Sequence, residues 1–214
     1  MNLEIKTDIP FAVPIFSVEF PGISDSLNLE NIVEEFCIER EQNEPKQPWE
    51  TRQTKGSLQK EVRLKSLCES IISATNHISV HVMQYDPNYK IEITGMWGNI
   101  QGSGETLHMH SHHNNVFAGV MYANEIDKSD GEFPAIQFSR PWDYSLAPSR
   151  TGANIYTSTI SWYPVKKDSV IIFPAWLEHQ VTRNLTDKNR ISISFNIMLR
   201  GRYGNIKHLE STIL

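Results

Sequence analysis

Arg190-Ile-Ser-Ile-Ser-Phe-Asn196 alternates strictly between polar and apolar side chains. Successive side chains of a β-strand point to opposite faces. Ile191, Ile193 and Phe195 therefore share one face, while Arg190 lies on the other. The segment predicts a strand with one apolar and one polar face.

The same period of two continues through the second half of the chain and predicts strands at 91–93, 116–122, 135–138, 156–162, 169–173 and 191–198. Earlier, apolar residues at helical spacing predict helices over 29–37 and 64–82, and residues 43–57 read as a loop. Residues 9–20 are β-forming but broken by prolines, which suits an edge strand. Helices followed by many short strands predict an α+β fold whose second half is an antiparallel sandwich or jelly roll.

The length of 214 residues fits one domain, 1–214. We expect a strand and helical support region over 1–88, the β core over 89–200 and a C-terminal tail over 201–214. The net charge of −5, with no block of lysine or arginine, argues against a nucleic-acid partner.

The sequence contains few features that bear on cellular location or on redox chemistry. The start of the chain shows no basic and apolar leader, and no apolar run approaches the length of a membrane span, so we expect a cytoplasmic protein without a membrane partner. Cys37 and Cys68 fall at apolar positions of the two predicted helices and are expected to be buried, unpaired side chains.

Histidines are concentrated in His108-Met-His110-Ser-His112-His113. On a strand His108, His110 and His112 would share one face, and imidazoles at i and i+2 can bind one metal ion at about 2.1 Å. His179, at the end of the apolar segment 171–179, is the candidate for a third ligand. The pattern predicts a metal site; a cluster of surface imidazoles is the alternative.

Arg190 lies on the polar face of its strand, beside the expected metal. A buried guanidinium needs a carboxylate partner, and its planar fork suits the distal end of a dicarboxylate. A dicarboxylate co-substrate is the natural partner, and an internal salt bridge to Asp or Glu is the alternative.

Taken together, these motifs resemble the 2-oxoglutarate/Fe(II)-dependent oxygenases, and most of all a partly phage-borne branch of that superfamily. The resemblance covers nearly the whole chain. The matching segments are Trp97-Gly-Asn99, His110-Ser-His112, Ala118-Gly-Val-Met-Tyr122, Phe173-Pro-Ala-Trp-Leu-Glu-His179 and Arg190-Ile-Ser-Ile-Ser-Phe-Asn196.

The resemblance implies a double-stranded β-helix (jelly roll, cupin-like) core with the N-terminal helices packed on one sheet. It implies a dioxygenase that uses Fe(II), 2-oxoglutarate and O2, most simply a hydroxylase, located in the host cytoplasm if the chain is phage-encoded. The implied roles are as follows: His110, His112 and His179 as metal ligands; Arg190, with Ser192 and Tyr122, for 2-oxoglutarate; Asn99, Asn114 and Asn115 as pocket residues.

One departure from the superfamily pattern stands out. Most members use two histidines and one carboxylate, whereas the residue two after His110 is His112. Either three imidazoles bind the iron, or the register is shifted and His108 pairs with His110. We prefer His110 and His112, because their spacing to the 118–122 strand matches the family.

The substrate is left open between a small molecule and a peptide side chain, and a homodimer is left open as an assembly. Residues 139–155 are expected to form a loop near the pocket mouth, where Arg140, Trp142, Tyr144 and Arg150 would either contact substrate or close the structure. Two other readings remain: a cupin-like metal-dependent dioxygenase or isomerase that does not use 2-oxoglutarate, and a non-catalytic jelly-roll binding protein. Arg190 separates the 2-oxoglutarate enzyme from the cupin-like one, which has no use for a buried arginine at that spacing. Absence of bound metal in the purified protein would favour the non-catalytic binding protein.

Overall fold

The structure, a computed structural model, describes residues 11–44, 51–126, 134–142, 146, 148–204 and 211–214. The helices are α1 (Ile23–Leu27), α2 (Leu29–Asn43) and α3 (Lys65–His77), with 3-10 turns at Leu58–Lys60 and Val62–Leu64 and a π-helical turn at Ile78–Val82. The strands are β1 (Phe16–Glu19), β2 (Arg52–Gln53), β3 (Lys90–Gln101), β4 (Leu107–His110), β5 (Phe117–Tyr122), β6 (Ala135–Ser139), β7 (Ile160–Pro164), β8 (Ser169–Pro174), β9 (His179–Val181), β10 (Arg190–Arg200), β11 (Arg202–Tyr203) and β12 (Thr212–Ile213).

Ten of these strands form two antiparallel sheets. The major sheet has the order β1-β8-β5-β10-β3-β2, and the minor sheet has the order β4-β9-β6-β7. From β4 to β10 the chain passes back and forth between the sheets, which is the winding of a double-stranded β-helix. The predicted α+β jelly-roll class is confirmed.

Two apolar clusters follow from the alternation of the strands. Ala118 and Val120 of β5 point between the sheets, where they join Phe138 and other minor-sheet residues. Phe117 and Met121 of β5 point to the other face of the major sheet, against the helices. The major sheet thus has helices on one face and a cavity on the other.

Helices α2 and α3 pack on the outer face of the major sheet. Their stripe includes Val33 and Leu67, which are fully buried. Gly98 of β3 permits the close approach of α2, because a Cβ at this position would lie 2.6 Å from Val33 Cγ1 and 3.2 Å from Thr54 Cγ2. The prediction that the helices support one sheet is confirmed.

An irregularity in β3 changes which face its side chains occupy. The β3–β10 register pairs Asn196 with Gly95 but Ile197 with Ile93, so one extra residue is accommodated at Thr94. Such a bulge shifts the alternation by one position. Before it, odd-numbered residues such as Ile93 face the helices; after it, odd-numbered residues such as Asn99 face the cavity.

The remaining expectations agree with the structure in most respects. Among the described residues β1 pairs only with β8, as expected of an edge strand. Cys37 and Cys68 are buried and form no disulfide. The predicted loop 43–57 contains the short strand β2, and the strand predicted from 156 begins only at Ile160. Across the described segments, no helix is long and apolar enough to span a bilayer. The domain bounds at 88 and 200 stay a prediction.

Candidate active site

Three histidines converge between the two sheets. The ring centroids of His110 and His179 are 4.3 Å apart, and that of His112 is 5.2 Å from each of them. One ring nitrogen from each residue lies within 4.8 Å of the others. Three nitrogens at this separation form a candidate facial site for a divalent metal ion.

The backbone holds these residues from different directions. His110 ends β4 and pairs directly with His179 at the start of β9. His112 lies beyond the strand, so simple alternation along β4 does not explain its position, contrary to the prediction. Instead, its backbone N–H donates to the carbonyl of Ala175, which ties the turn after β4 to the segment that leads to His179.

Hydrogen bonds fix the orientation of two of the rings. Nδ1 of His179 lies 2.9 Å from the Leu177 carbonyl oxygen, and Nδ1 of His110 lies 2.6 Å from that of His108. A carbonyl oxygen can only accept, so in each neutral ring Nδ1 carries the hydrogen and Nε2 keeps its lone pair. This is the tautomer that a metal ion requires of a ligand bound through Nε2.

Burial keeps the rings of His179 and His112 neutral. Burial, with smaller contributions from His110 and His112, lowers the pKa of His179 to about 3. Burial and the neighbouring His110 and His113 lower the pKa of His112 to about 4. Both imidazoles are therefore uncharged at neutral pH and able to bind a metal without first losing a proton.

Arg190 begins β10 and is completely buried. Its Nε donates to Oε1 of Gln101 at 3.0 Å, and its Nη2 donates to the carbonyl of Thr182 at 2.6 Å. No carboxylate of the described segments forms an ion pair with it. Its positive charge is held by neutral acceptors alone, so the alternative of an internal salt bridge finds no support.

Three buried polar atoms near Arg190 have no partner. They are Nη1 of Arg190, Nε2 of Gln101 and the hydroxyl of Tyr122. Burial raises the pKa of Tyr122 to about 12, with Arg190 opposing the shift, so the hydroxyl keeps its proton and can donate. Buried donors without acceptors are rare in folded proteins, and three together indicate a place for an anion.

A cavity of about 380 Å³ lies beside the three histidines and reaches β10 at Ser192. The three histidines line it, as does Ser192, which is two residues from Arg190 on the same face of β10. His179 and the Arg190 contact at Thr182 are three residues apart, or roughly 10 Å at the rise of a strand. The remaining lining residues are Gln53, Trp97, Asn99, Leu107, His108, Met109, Gly119, Val120, Ile136, Phe173, Val181 and Ser194.

A polar chain crosses the major-sheet wall of this cavity. Gln53 of β2 donates through Nε2 to Oδ1 of Asn99 at 2.7 Å. Nδ2 of Asn99 in turn donates to the hydroxyls of Ser192 and Ser194 at 3.4 and 3.1 Å. The network fixes the Asn99 amide and leaves the hydrogens of the serine hydroxyls free to turn toward a ligand.

Other sequence-predicted residues lie elsewhere. His108 lines the cavity mouth but does not join the three clustered rings, so the alternative pairing of His108 with His110 is not the one that the geometry favours. Asn115 accepts from Thr94 and donates to the His113 carbonyl outside the cavity lining, and Asn114 is an exposed turn residue with φ of +62°. Tyr144 lies outside the described residues.

Sequence reasoning missed Gln101 and Gln53. Gln101 could have been found, because it follows Trp97 and Asn99 in the same alternation. Gln53 could not, since nothing in a polar, proline-broken segment indicates the two-residue strand β2 that pairs with β3 at Asn99.

Residues 95–196, which contain the three histidines, Gln101, Tyr122 and Arg190, match a family model described as "Putative 2OG-Fe(II) oxygenase", where 2OG is 2-oxoglutarate. Over these residues the chain matches the 2-oxoglutarate/Fe(II) oxygenases. The protein is thus an oxidoreductase of that class, with Fe(II), 2-oxoglutarate and O2 as its cofactors and co-substrates. A search of curated protein sequences gives no match.

Solved structures of oxygenases share the fold. The non-heme alpha-ketoglutarate-dependent carbocyclase SnoK from nogalamycin biosynthesis aligns with a TM-score of 0.60 at 10% identity, over 88% of this chain and 81% of its own. The epimerase SnoN from the same biosynthesis gives 0.59 at 11%, over 92% and 81%. HygX from Streptomyces hygroscopicus, with nickel and 2-oxoglutarate bound, gives 0.56 at 14%, over 87% and 83%.

The residues of this oxygenase fit the groups that its class requires. Three clustered imidazoles, each offering one ring nitrogen, suit Fe(II). The unpartnered donors of Arg190, Gln101 and Tyr122 suit a carboxylate.

Proposed function

We propose that this oxygenase hydroxylates a small-molecule substrate, with Fe(II) bound by His110, His112 and His179 and the distal carboxylate of 2-oxoglutarate bound by Arg190. Ser192 and Tyr122 would assist Arg190. When bound, the iron and 2-oxoglutarate supply the oxidising chemistry: one atom of O2 goes to the substrate and the other to succinate, with release of CO2.

One observation carries the proposal: a buried guanidinium without a carboxylate partner lies two residues along β10 from Ser192, which lines the same cavity as the three clustered imidazoles. A buried charge is costly unless it is paired, so the folded protein favours ligands that bring a negative charge to this place. Three neutral ligands leave the +2 charge of the metal uncompensated as well. A dianion with carboxylates at both ends would satisfy both demands.

The chain's own residues provide orientation and exclusion of water. The carbonyls of Leu177 and His108 hold two rings in the ligand tautomer. Phe173 and Phe138 surround His179, with ring centroids 4.6 and 6.0 Å away. These apolar rings would keep bulk water from the side of the metal that faces the core.

A small-molecule substrate is supported by a groove beside the histidines. The groove, of about 720 Å³, is lined by aromatic side chains, including Trp142 and Trp162, which are about half exposed. Phe138 belongs to the groove lining and pairs with His179 across β6 and β9. The neighbouring HygX has been solved with hygromycin B bound, so this fold accommodates a compound of that size.

The test is an anaerobic titration of the metal-free protein with Fe(II) and then 2-oxoglutarate, following the weak visible charge-transfer band of the chelate. We expect the band in the wild-type protein, its loss in His179→Ala because a ligand is removed, and a much weaker 2-oxoglutarate affinity in Arg190→Met with iron binding kept. His108→Ala is the matched control and should behave as wild type.

Two outcomes would contradict the proposal. Iron binding that survives His179→Ala but not His108→Ala would move the metal to the other register. A wild-type protein that binds iron but shows no response to 2-oxoglutarate would favour a three-histidine enzyme independent of this co-substrate. Release of succinate with candidate substrates, followed by mass analysis of the product, would then test hydroxylation itself.

A further inference from the structure

Gln101 is the residue through which the major sheet holds Arg190. The two residues pair directly across β3 and β10. Oε1 of Gln101 accepts from Nε of Arg190 at 3.0 Å, and both side chains are at most 1% exposed. The partner of the buried guanidinium is therefore an amide, at a position where a carboxylate of the same shape would form a buried ion pair.

The remaining contacts determine which donors stay available. Nε of Arg190 is taken by Gln101 and one hydrogen of Nη2 by the Thr182 carbonyl. A guanidinium has five N–H donors, so the hydrogens of Nη1 and the second hydrogen of Nη2 are left at the outer end of the fork. Because Gln101 uses its oxygen on Arg190, its Nε2 amide is left as a donor beside that fork, buried and without a partner.

We propose that Gln101 is a positioning and specificity residue for the co-substrate: it orients Arg190 through Nε, leaves the guanidinium charge uncompensated, and donates its own Nε2 hydrogen to the distal carboxylate. This inference rests on the proposed function. A neutral partner keeps the arginine charge available to the ligand, whereas an acidic partner would neutralise it within the protein.

The proposal predicts a selective effect of Gln101→Glu, which keeps the shape of the side chain and the acceptor for Nε. The new carboxylate pairs with Arg190 internally and replaces the Nε2 donor by an oxygen that repels the ligand. We expect the affinity for 2-oxoglutarate to fall by about 10- to 100-fold, the range of one charged hydrogen bond.

The experiment compares two ligands in the anaerobic Fe(II) titration. 2-Oxoglutarate carries both the 2-oxo acid end and the distal carboxylate, whereas 2-oxobutyrate carries the 2-oxo acid end alone. Gln101→Glu should weaken only 2-oxoglutarate and leave iron and 2-oxobutyrate binding unchanged. Gln137→Glu is the matched control, since Gln137 is also buried but its amide oxygen accepts from Gln180 in the minor sheet.

Each result has a defined meaning. Wild-type affinity for 2-oxoglutarate in Gln101→Glu overturns the inference, and so does an equal loss of both ligands, which would point to general damage. If circular dichroism shows that Gln101→Glu does not fold, Gln101→Met takes its place. It should likewise weaken the binding of 2-oxoglutarate and leave the binding of 2-oxobutyrate unchanged. If the wild-type protein binds neither acid, the proposed function and this inference are both overturned. If the wild type binds 2-oxoglutarate and Gln101→Glu binds it equally well, this inference alone is overturned.

Discussion

In the proposed site His112 takes the place of the carboxylate that most enzymes of this superfamily have, and this difference would have a consequence for charge. A third neutral ligand leaves the metal with its full +2 charge, which weakens metal retention and strengthens the attraction for a dianion. We expect His112→Asp to bind Fe(II) more tightly and 2-oxoglutarate less tightly than the wild type. Isothermal titration of each ligand measures both changes; a loss of iron affinity would count against the charge argument.

The buried histidines should also make the metal-free protein sensitive to acid. His179 and His112 have pKa values of about 3 and about 4 in the fold, against 6.5 for an unperturbed histidine. Between these values the unfolded chain binds protons that the folded chain does not, so stability decreases as pH falls below about 6.5. The slope is at most about 1.4 kcal/mol per pH unit for each histidine.

Thermal melts of the metal-free protein between about pH 7 and pH 4.5 test whether stability decreases as the pH falls. His179→Gln removes one titrating group and should give a shallower decrease than the wild type. Equal slopes in the wild type and His179→Gln would contradict the assignment of the acid sensitivity to the buried ring.

The contact of α2 with β3 depends on the absence of a side chain at Gly98. A methyl group there would overlap Val33 and press on Thr54. We expect Gly98→Ala to destabilise the protein by about 1–3 kcal/mol through overpacking. Val33→Ala in the same chain removes the overlapping γ carbons, so the double variant should be less destabilised than the sum of the two single changes.

Urea denaturation of the two single variants and the double variant measures this coupling. Gly152→Ala serves as a control, because nothing lies within 4 Å of a Cβ at that position. Strict additivity of Gly98→Ala and Val33→Ala would show that the close approach of the helix is not what limits the size of residue 98.

Strand alternation predicts much of this molecule because it is a local property. The faces of β10 follow directly from its sequence, and the spacing of His110, His112 and His179 is sufficient to suggest a metal site. What alternation cannot supply is any departure from regular pairing. The bulge at Thr94 and the position of His112 beyond β4 depend on contacts with β10 and Ala175, which are distant in the chain.

At the scale of the whole molecule, the two ligands should stabilise the fold in a fixed order. In the proposed site the metal would be held by the histidine cluster, and Arg190 would bind the 2-oxoglutarate that also binds the metal. We expect Ni(II) to raise the melting temperature and 2-oxoglutarate to raise it further only when Ni(II) is present. A ligand at 100 times its Kd contributes about 2.7 kcal/mol, or several degrees for a chain of this size.

Differential scanning fluorimetry with each ligand alone and with both measures this order. Arg190→Met should keep the increment from Ni(II) and lose the one from 2-oxoglutarate. An equal increment from 2-oxoglutarate in the absence of metal would place its binding away from the histidines.

The extra residue in β3 makes one continuous strand serve two purposes. On the N-terminal side of Thr94 the odd-numbered side chains pack against the helices. On the C-terminal side the odd-numbered side chains face the cavity. If Thr94 were instead paired as a regular strand residue, the two faces would be exchanged over the rest of the strand, with Met96 and Ile100 in the cavity and Gln101 turned toward the helices. The irregular pairing at this one residue is thus as much a part of the enzyme's chemistry as the identity of any side chain that the strand carries.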